Sequence, residues 1–223
     1  MSSATHLSTH DQVVLSKLLN PGELEEPTQA QQKRIQVNTY LPPDQHVSVE
    51  LVEKFVQIEK TVIESVDKDD SVANVKRAIE KLKEIIVEAP KYASVYNNLA
   101  QLERILDQKG EKSASKLDII SNLERAIKLA GPDQLIISKM QGTVLQQAYA
   151  QLGQIYMEGR NNEGDSWGDE EKASECFRRA GEYGNKIAAE LAVKVNPYAR
   201  LCGNIVREAL IEEGKKWEQL KEE

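Results

Sequence analysis

The sequence predicts an all-α protein, a short solenoid of about three helix pairs with a C-terminal cap helix. Apolar residues recur with the 3.6-residue period of helices from about residue 48 onward, and no segment alternates with a period of two. Only 5% of the residues are aromatic, and the chain has 12 Gly and 7 Pro, which is unlike a sandwich or a barrel. A pattern of small and large residues also recurs along the chain, as a solenoid requires.

Residues 1–47 form a polar N-terminal region that contains one short amphipathic helix. That helix covers residues 11–19 and places four apolar side chains on one face, Val14, Leu15, Leu18 and Leu19. Residues 22–46 contain three prolines and are interpreted as a linker. The helix is too short to bury its own apolar face, so it is a partner-binding peptide, a plug for the protein's own groove, or a packing helix on the outer wall. We favour packing within the chain.

Residues 145–180 carry the spacing of a tetratricopeptide repeat, which is a pair of antiparallel helices. Small residues let the two helices cross closely, and large residues fill the space beside the crossing. The first helix contributes Tyr149, Leu152, Gly153 and Tyr156, and the second contributes Ala173, Phe177 and Ala180.

The same spacing occurs twice more, upstream. Tyr96, Leu99 and Ala100 begin a unit that closes with Leu123 and Ala126, and a weaker unit with Ala78, Leu82 and Ile85 precedes it. We therefore expect units over residues 48–90, 91–131 and 132–185, a following helix to residue 195, and a cap helix over 196–223.

The distance between Tyr96 and Tyr149 exceeds the ~34-residue repeat. We assign the excess to a turn at 107–115 and to a helical extension over 132–144. A further insert at 160–171 separates the two helices of the third unit, and Asp169 is expected to cap the second of them.

Four strings stand in a characteristic order: DQVVLSKLLNP at 11–21, ASVYNNLAQ at 93–101, LERAIKLAG at 123–131 and NPYARLC at 196–202. In this order the chain resembles the tetratricopeptide repeat protein 36 family over nearly its whole length. The resemblance implies a small cytosolic, non-enzymatic protein of three repeats. It also implies links to tyrosine catabolism and to the seventy-kilodalton heat-shock chaperone.

The amino-acid composition limits which partners and which cellular location we expect. With 29 basic and 36 acidic residues the net charge is −7, which opposes binding to nucleic acid. The longest uncharged stretch, residues 140–157, is too rich in Gln and Gly to span a membrane, and residues 1–10 do not form a secretory signal. We expect Cys176 and Cys202 to be buried free thiols in a reducing compartment. The cytoplasm is the simplest location, and the nucleus stays open.

The sequence contains no recognisable spacing of catalytic residues. His6, His10 and His46 all fall in the N-terminal region, and no phosphate-binding Gly loop and no CxxC pair occur. The insert at 160–171 superficially resembles a calcium loop, but taking either Gly164 or Gly168 as its turn glycine leaves the wrong residues at the ligand positions. We expect no enzyme activity, no cofactor and no metal.

Repeats of this kind bind partners on the concave face formed by their first helices. The side chains expected there are mostly neutral, namely Asn97, Asn98, Gln101, Arg104, Gln147, Gln151 and Gln154. Amides can both donate to and accept from an extended peptide backbone, and simple solvation of these side chains is the equal alternative.

Repeats that bind the acidic tail of a chaperone use a clamp of Lys, Asn and Arg side chains. Asn98 matches the central Asn of that clamp, but the uncharged Gln147 and Gln151 stand where its cations belong. The sequence therefore predicts a non-catalytic adaptor for a protein or peptide partner, a metabolic enzyme or a chaperone. By resemblance it is linked to the regulation of tyrosine metabolism. The alternative is a co-chaperone that does not use the tail clamp.

Overall fold

The computed structural model of the chain describes residues 35–111, 114–158 and 166–222, and all their side chains except those of 166–168 and 214–222. Within these residues there are eight helices and two short strands. They are β1 (Gln36–Val37), α1 (Val49–Lys68), α2 (Val72–Glu88), α3 (Ala93–Gln108), α4 (Lys116–Ala130), β2 (Ile136–Ile137), α5 (Lys139–Glu158), α6 (Ser166–Glu182), α7 (Lys186–Val195) and α8 (Pro197–Glu222). The predicted all-α class is confirmed. The expected helix at 11–19 and residues 160–165 of the insert at 160–171 lie outside the described residues.

Helix boundaries follow from capping residues in the sequence. The Ser71 side chain accepts a hydrogen bond from the backbone of Asn74 at the start of α2. Ser115 and Asp118 form a reciprocal capping box at the start of α4. That helix ends at Gly131, whose φ of 75° lies in the left-handed region that glycine adopts without strain.

Each helix from α1 to α7 packs against the next one along the chain, and α3 also contacts α5. This succession is that of a solenoid, in which each element buries its apolar face against its neighbours. The larger core cluster runs from Val52 on α1 to Ile155 on α5. Within it, the rings of Phe55 and Tyr92 meet at a centroid distance of 5.3 Å. A second cluster joins α6 to α7 around Phe177.

Two close helix contacts depend on glycine. A Cβ added to Gly153 on α5 would lie 2.7 Å from Cδ1 of Phe177 on α6, well inside van der Waals contact. A Cβ added to Gly181 would lie 2.8 Å from Cβ of Ala189 on α7. The backbones of α5, α6 and α7 approach this closely because these positions carry no side chain.

The end of the expected linker is packed against the third unit. Strand β1 pairs in parallel with β2, with Gln36 opposite Ile136 and Val37 opposite Ile137. Farther on, the Ser138 hydroxyl donates to the Pro43 carbonyl over 2.8 Å. The linker prediction therefore fails for residues 35–43. A strand of two residues is too short to show the alternation by which strands are recognised.

The expected helical extension over 132–144 is also corrected. Helix α5 begins at Lys139, and the residues before it form a turn and β2. The start is set by Ser138 and Gln141, because each side chain accepts a hydrogen bond from the other residue's backbone N–H. At α6 the helix begins at Ser166, so Asp169 lies in its first turn and is not the cap.

The C-terminal helix α8 is amphipathic and contacts α6 and α7. The apolar side chains of Leu201, Ile205 and Leu210 on it are exposed. Cys202 is exposed as well, and Cys176 is only partly buried, so the expectation of two buried thiols is wrong for Cys202. None of the helices in the described part of the chain is long and apolar enough to cross a membrane.

Candidate functional site

A groove of about 700 Å³ lies between the first helices of the successive pairs, α1, α3 and α5, and is closed on one side by residues 39–43. The apolar side chains that line it are Leu41, Pro43, Val56, Ile63, Met140 and Val144. Val56 and Ile63 on α1 are 38% and 39% exposed, although both are apolar. An apolar concave surface with a few polar groups is typical of a binding site.

The polar part of the groove is centred on Glu59, which is only 5% exposed. Its Oε1 accepts a hydrogen bond of 2.9 Å from Nδ2 of Asn98. Its Oε2 accepts hydrogen bonds from the Tyr92 hydroxyl at 2.9 Å and the Ser94 hydroxyl at 3.0 Å. Three neutral donors from the start of α3 therefore hold a carboxylate that α1 supplies.

Burial controls the titration of this network. Loss of water raises the pKa of Glu59 from 4.5 to about 7, although its three hydrogen bonds act in the opposite direction. Burial and the nearby Glu59 carboxylate both raise the pKa of Tyr92, so this phenol stays protonated. Neighbouring charges on the same lining are Lys60 and Glu64, whose Nζ and Oε1 lie 3.9 Å apart, and Lys139 on α5.

The amides expected on the concave face connect neighbouring helices. Asn97 is buried, and its Nδ2 donates to Oε1 of Gln147 over 3.0 Å. Nε2 of Gln151 donates in turn to Oδ1 of Asn97 over 2.9 Å. Asn98 is buried against Glu59. These contacts join α3 to α5 and to α1, so much of the hydrogen-bonding capacity of the four amides is already used inside the protein.

The other predicted groove residues lie farther along the same helices. Arg104 on α3 is half-buried and donates to Gln154 over 2.9 Å and to Glu158 over 3.0 Å. Gln101 and Gln154 are exposed. Arg104 thus ties α3 to the end of α5, outside the residues that line the groove.

Sequence reasoning missed Glu59 and the apolar wall of α1. The signal for Glu59 was present, because the buried stripe of α1 runs through Val52, Phe55, Glu59, Val62 and Val66. A carboxylate at a core position of a helical stripe indicates a partnered buried charge. The wall itself depends on segments far apart in the chain, and no local pattern brings residues 39–43 to α5.

A pH titration of stability tests the burial of Glu59. We expect the free energy of unfolding to fall as the pH rises from about 4.5 to about 7, because the folded chain holds a proton that the unfolded chain releases. The full effect is roughly 3 kcal/mol. Urea unfolding of the wild type and of Glu59→Gln across this range measures it, and the variant should show a shallower slope.

The dependence of the free energy of unfolding on pH should become weaker in Glu59→Gln but should not vanish. Burial also raises the pKa of Glu103, which faces α4 and acts in the same direction. Equal slopes for the variant and the wild type would contradict the assignment of the titrating proton to Glu59.

No His and no Cys side chain of the described residues lines the groove. Among the described residues no three His, Cys, Asp or Glu side chains are arranged to hold a metal ion. His46 is exposed, while His6 and His10 lie outside the described residues. Burial raises the pKa of Cys176 to about 11, which keeps this thiol protonated and poorly nucleophilic at neutral pH.

Several known proteins align with most of this chain. No protein-family model and no solved structure matches it. It is 31% identical over 204 aligned residues to the L-tyrosine degradation gene cluster protein hmgX of Aspergillus fumigatus, covering 75% of this chain and 79% of that protein. It is 29% identical over 208 residues to tetratricopeptide repeat protein 36 of Danio rerio, covering 91% and 92%.

A third relative is the tetratricopeptide repeat protein 36 homolog of Drosophila melanogaster. It is 29% identical over 211 residues, which cover 91% of this chain and 94% of that protein. Relatives in a fungus, a fish and an insect thus align along most of their length with a chain whose described part is a succession of packed helices. The protein belongs to the tetratricopeptide repeat protein 36 family.

Proposed function

We propose that the protein is a non-catalytic adaptor that holds a segment of a partner protein in the groove between α1, α3 and α5. One observation carries the proposal: Val56 and Ile63 leave apolar surface exposed at the concave face, beside buried polar groups. Surface of this kind gains free energy when a partner covers it. The net charge of −7 favours a protein over a nucleic acid as that partner.

The names of the relatives support a link to tyrosine breakdown. One of them is a protein of an L-tyrosine degradation gene cluster. The proposed partner is accordingly an enzyme of tyrosine metabolism, and the family resemblance supports a cytoplasmic location. The high pKa of Cys176 and the scatter of the histidines support a role without catalysis.

Affinity purification of the tagged full chain with matched variants tests this proposal. Val56→Lys places a charge on the apolar wall of the groove, and we expect it to lower capture of the principal partner roughly tenfold or more. Val87→Lys is the control, because Val87 is 85% exposed on α2 and does not line the groove. Equal capture by both variants and the wild type would show that the groove is not the binding site.

The identity of the captured protein separates the adaptor from the co-chaperone. An enzyme of tyrosine metabolism that is lost with Val56→Lys supports the adaptor. A dominant chaperone band supports the alternative. In that case calorimetry with the acidic tail peptide decides the mode of binding, and tight binding is not expected because Gln147 and Gln151 carry no charge.

A further inference from the structure

The Glu59 carboxylate is buried without a cation beside it. Its three hydrogen-bond donors, Asn98, Tyr92 and Ser94, are all neutral. Among the described residues no Lys, Arg or His nitrogen forms an ion pair with it, and the nearest lysine in sequence, Lys60, pairs with Glu64. Buried carboxylates are normally paired with a positive charge, because neutral donors replace only part of the lost hydration.

The carboxylate also keeps one unused acceptor site. A carboxylate has about four acceptor sites, and the protein fills three of them. Oε1 receives one donor, whereas Oε2 receives two. Glu59 is part of the groove lining, so a group bound there can reach it.

The walls around this carboxylate are apolar. Val56 and Ile63 stand one turn before and one turn after Glu59 on α1, and Met140 and Val144 face them from α5. Lysine and arginine side chains combine an aliphatic stem with a charged end, and they pack the stem on apolar surface. A groove with apolar side chains on both sides of a buried carboxylate complements that combination.

From this geometry we infer that the groove binds a single lysine or arginine side chain of the partner segment, with its charged group on the Glu59 carboxylate and its stem between α1 and α5. The inference rests on the proposed function, since it names the residue type that the groove selects. Lys139, on the same lining, repels a second cation, so the recognised segment carries one basic residue and not a basic run.

A peptide titration of the full chain tests this. The probe is acetyl-Ala-Leu-Lys-Leu-Ala-amide, and two matched peptides carry norleucine or glutamate in place of the lysine. Binding is followed by NMR shifts of the isotope-labelled protein. Glu59→Gln keeps the size of the side chain and removes its charge. Glu103→Gln is the control, because Glu103 is also buried on a first helix, is bonded to Asn122, and does not line the groove.

We expect the lysine peptide to bind roughly tenfold or more tightly than the norleucine peptide. Glu59→Gln should remove that preference, and Glu103→Gln should preserve it. Equal binding of the lysine and norleucine peptides would overturn the inference in favour of purely apolar docking. Tighter binding of the glutamate peptide would overturn it in favour of an acidic partner on Lys139. A lysine peptide that causes no saturable shift would overturn it outright.

The pH dependence supplies a second readout. A bound cation favours the ionised carboxylate, so affinity for the lysine peptide should rise between pH 6 and pH 8 in the wild type and not in Glu59→Gln. The charged and titratable groups around Glu59 are Tyr92, which donates to it, Asp44, whose charge acts on Tyr92, and Lys60, Glu64 and Lys139, which line the same groove. Tyr92 stays protonated throughout this range.

Failure of this inference differs from failure of the proposed function. If Val56→Lys still lowers capture of the partner while the lysine peptide binds no better than its norleucine form, the groove is the site and only the basic anchor is wrong. If Val56→Lys leaves capture unchanged, the adaptor site itself is wrong, whatever the peptides do.

Discussion

Gly153→Leu is expected to lower the free energy of unfolding by about 1–3 kcal/mol or more, because the added side chain overpacks a close helix contact. The first added carbon alone would lie 2.7 Å from Cδ1 and Cε1 of Phe177. Phe177 is fully buried and cannot move aside without displacing its neighbours on α6 and α7. Helices α5 and α6 must therefore separate, and the third helix pair loses its packing.

Gly203→Leu is the matched control for this experiment. Gly203 also lies inside a helix, α8, but apart from its own stretch of helix no atom of the described residues lies within 4 Å of the position where its Cβ would stand. The same substitution there should leave the melting temperature nearly unchanged or raise it slightly, since leucine is the better helix former. Thermal unfolding followed by circular dichroism measures both variants. Equal melting temperatures would contradict the close contact of α5 with α6.

Phe55→Ala is expected to cost about 3–5 kcal/mol. Phe55 on α1 is 0% exposed, and its ring packs against Tyr92 at a centroid distance of 5.3 Å. Its removal leaves a cavity beside the Tyr92 ring, whose hydroxyl holds Glu59. The substitution should therefore loosen the floor of the groove as well as the core.

Val87→Ala is the control for that loss, because Val87 is 85% exposed and its truncation opens no cavity. It should change the free energy of unfolding by less than about 0.5 kcal/mol in chemical denaturation. A Phe55→Ala variant as stable as Val87→Ala would mean that α1 is not part of the cooperative core.

The helical class followed from the sequence because helix periodicity is a local property. The apolar stripe of α2, with Ala78, Leu82 and Ile85, can be identified within seventeen residues of chain. Helix starts were equally local, as at Ser115 and Asp118, whose side chain and backbone atoms bond within one turn. The first residue of α5 was harder to predict from the sequence, because its cap at Ser138 follows a strand of only two residues.

The contacts within the groove were harder to predict from the sequence than the helices were. Spacing placed Asn97, Asn98, Gln147 and Gln151 on first helices, but it did not show that Asn98 would bond to Glu59 or that Gln147 would bond to Asn97. Whether an amide is solvated, bonded within the protein or open to a ligand depends on what a neighbouring helix brings to it. That neighbour is tens of residues away in the chain.

The sequence by itself determined that this protein is a succession of amphipathic helices, where small residues such as Gly153 permit close packing. The tertiary structure alone decided that Pro43 would close the groove beside Ser138, although 95 residues separate the two. It alone brought the Tyr92 hydroxyl to the carboxylate of Glu59, which lies 33 residues earlier in the chain and lines the groove. The physical reason is the distance along the chain over which each effect acts. Periodicity and capping act within a few helical turns. Burial, the pKa of a carboxylate and the shape of a groove arise only where segments distant in sequence come together and exclude water.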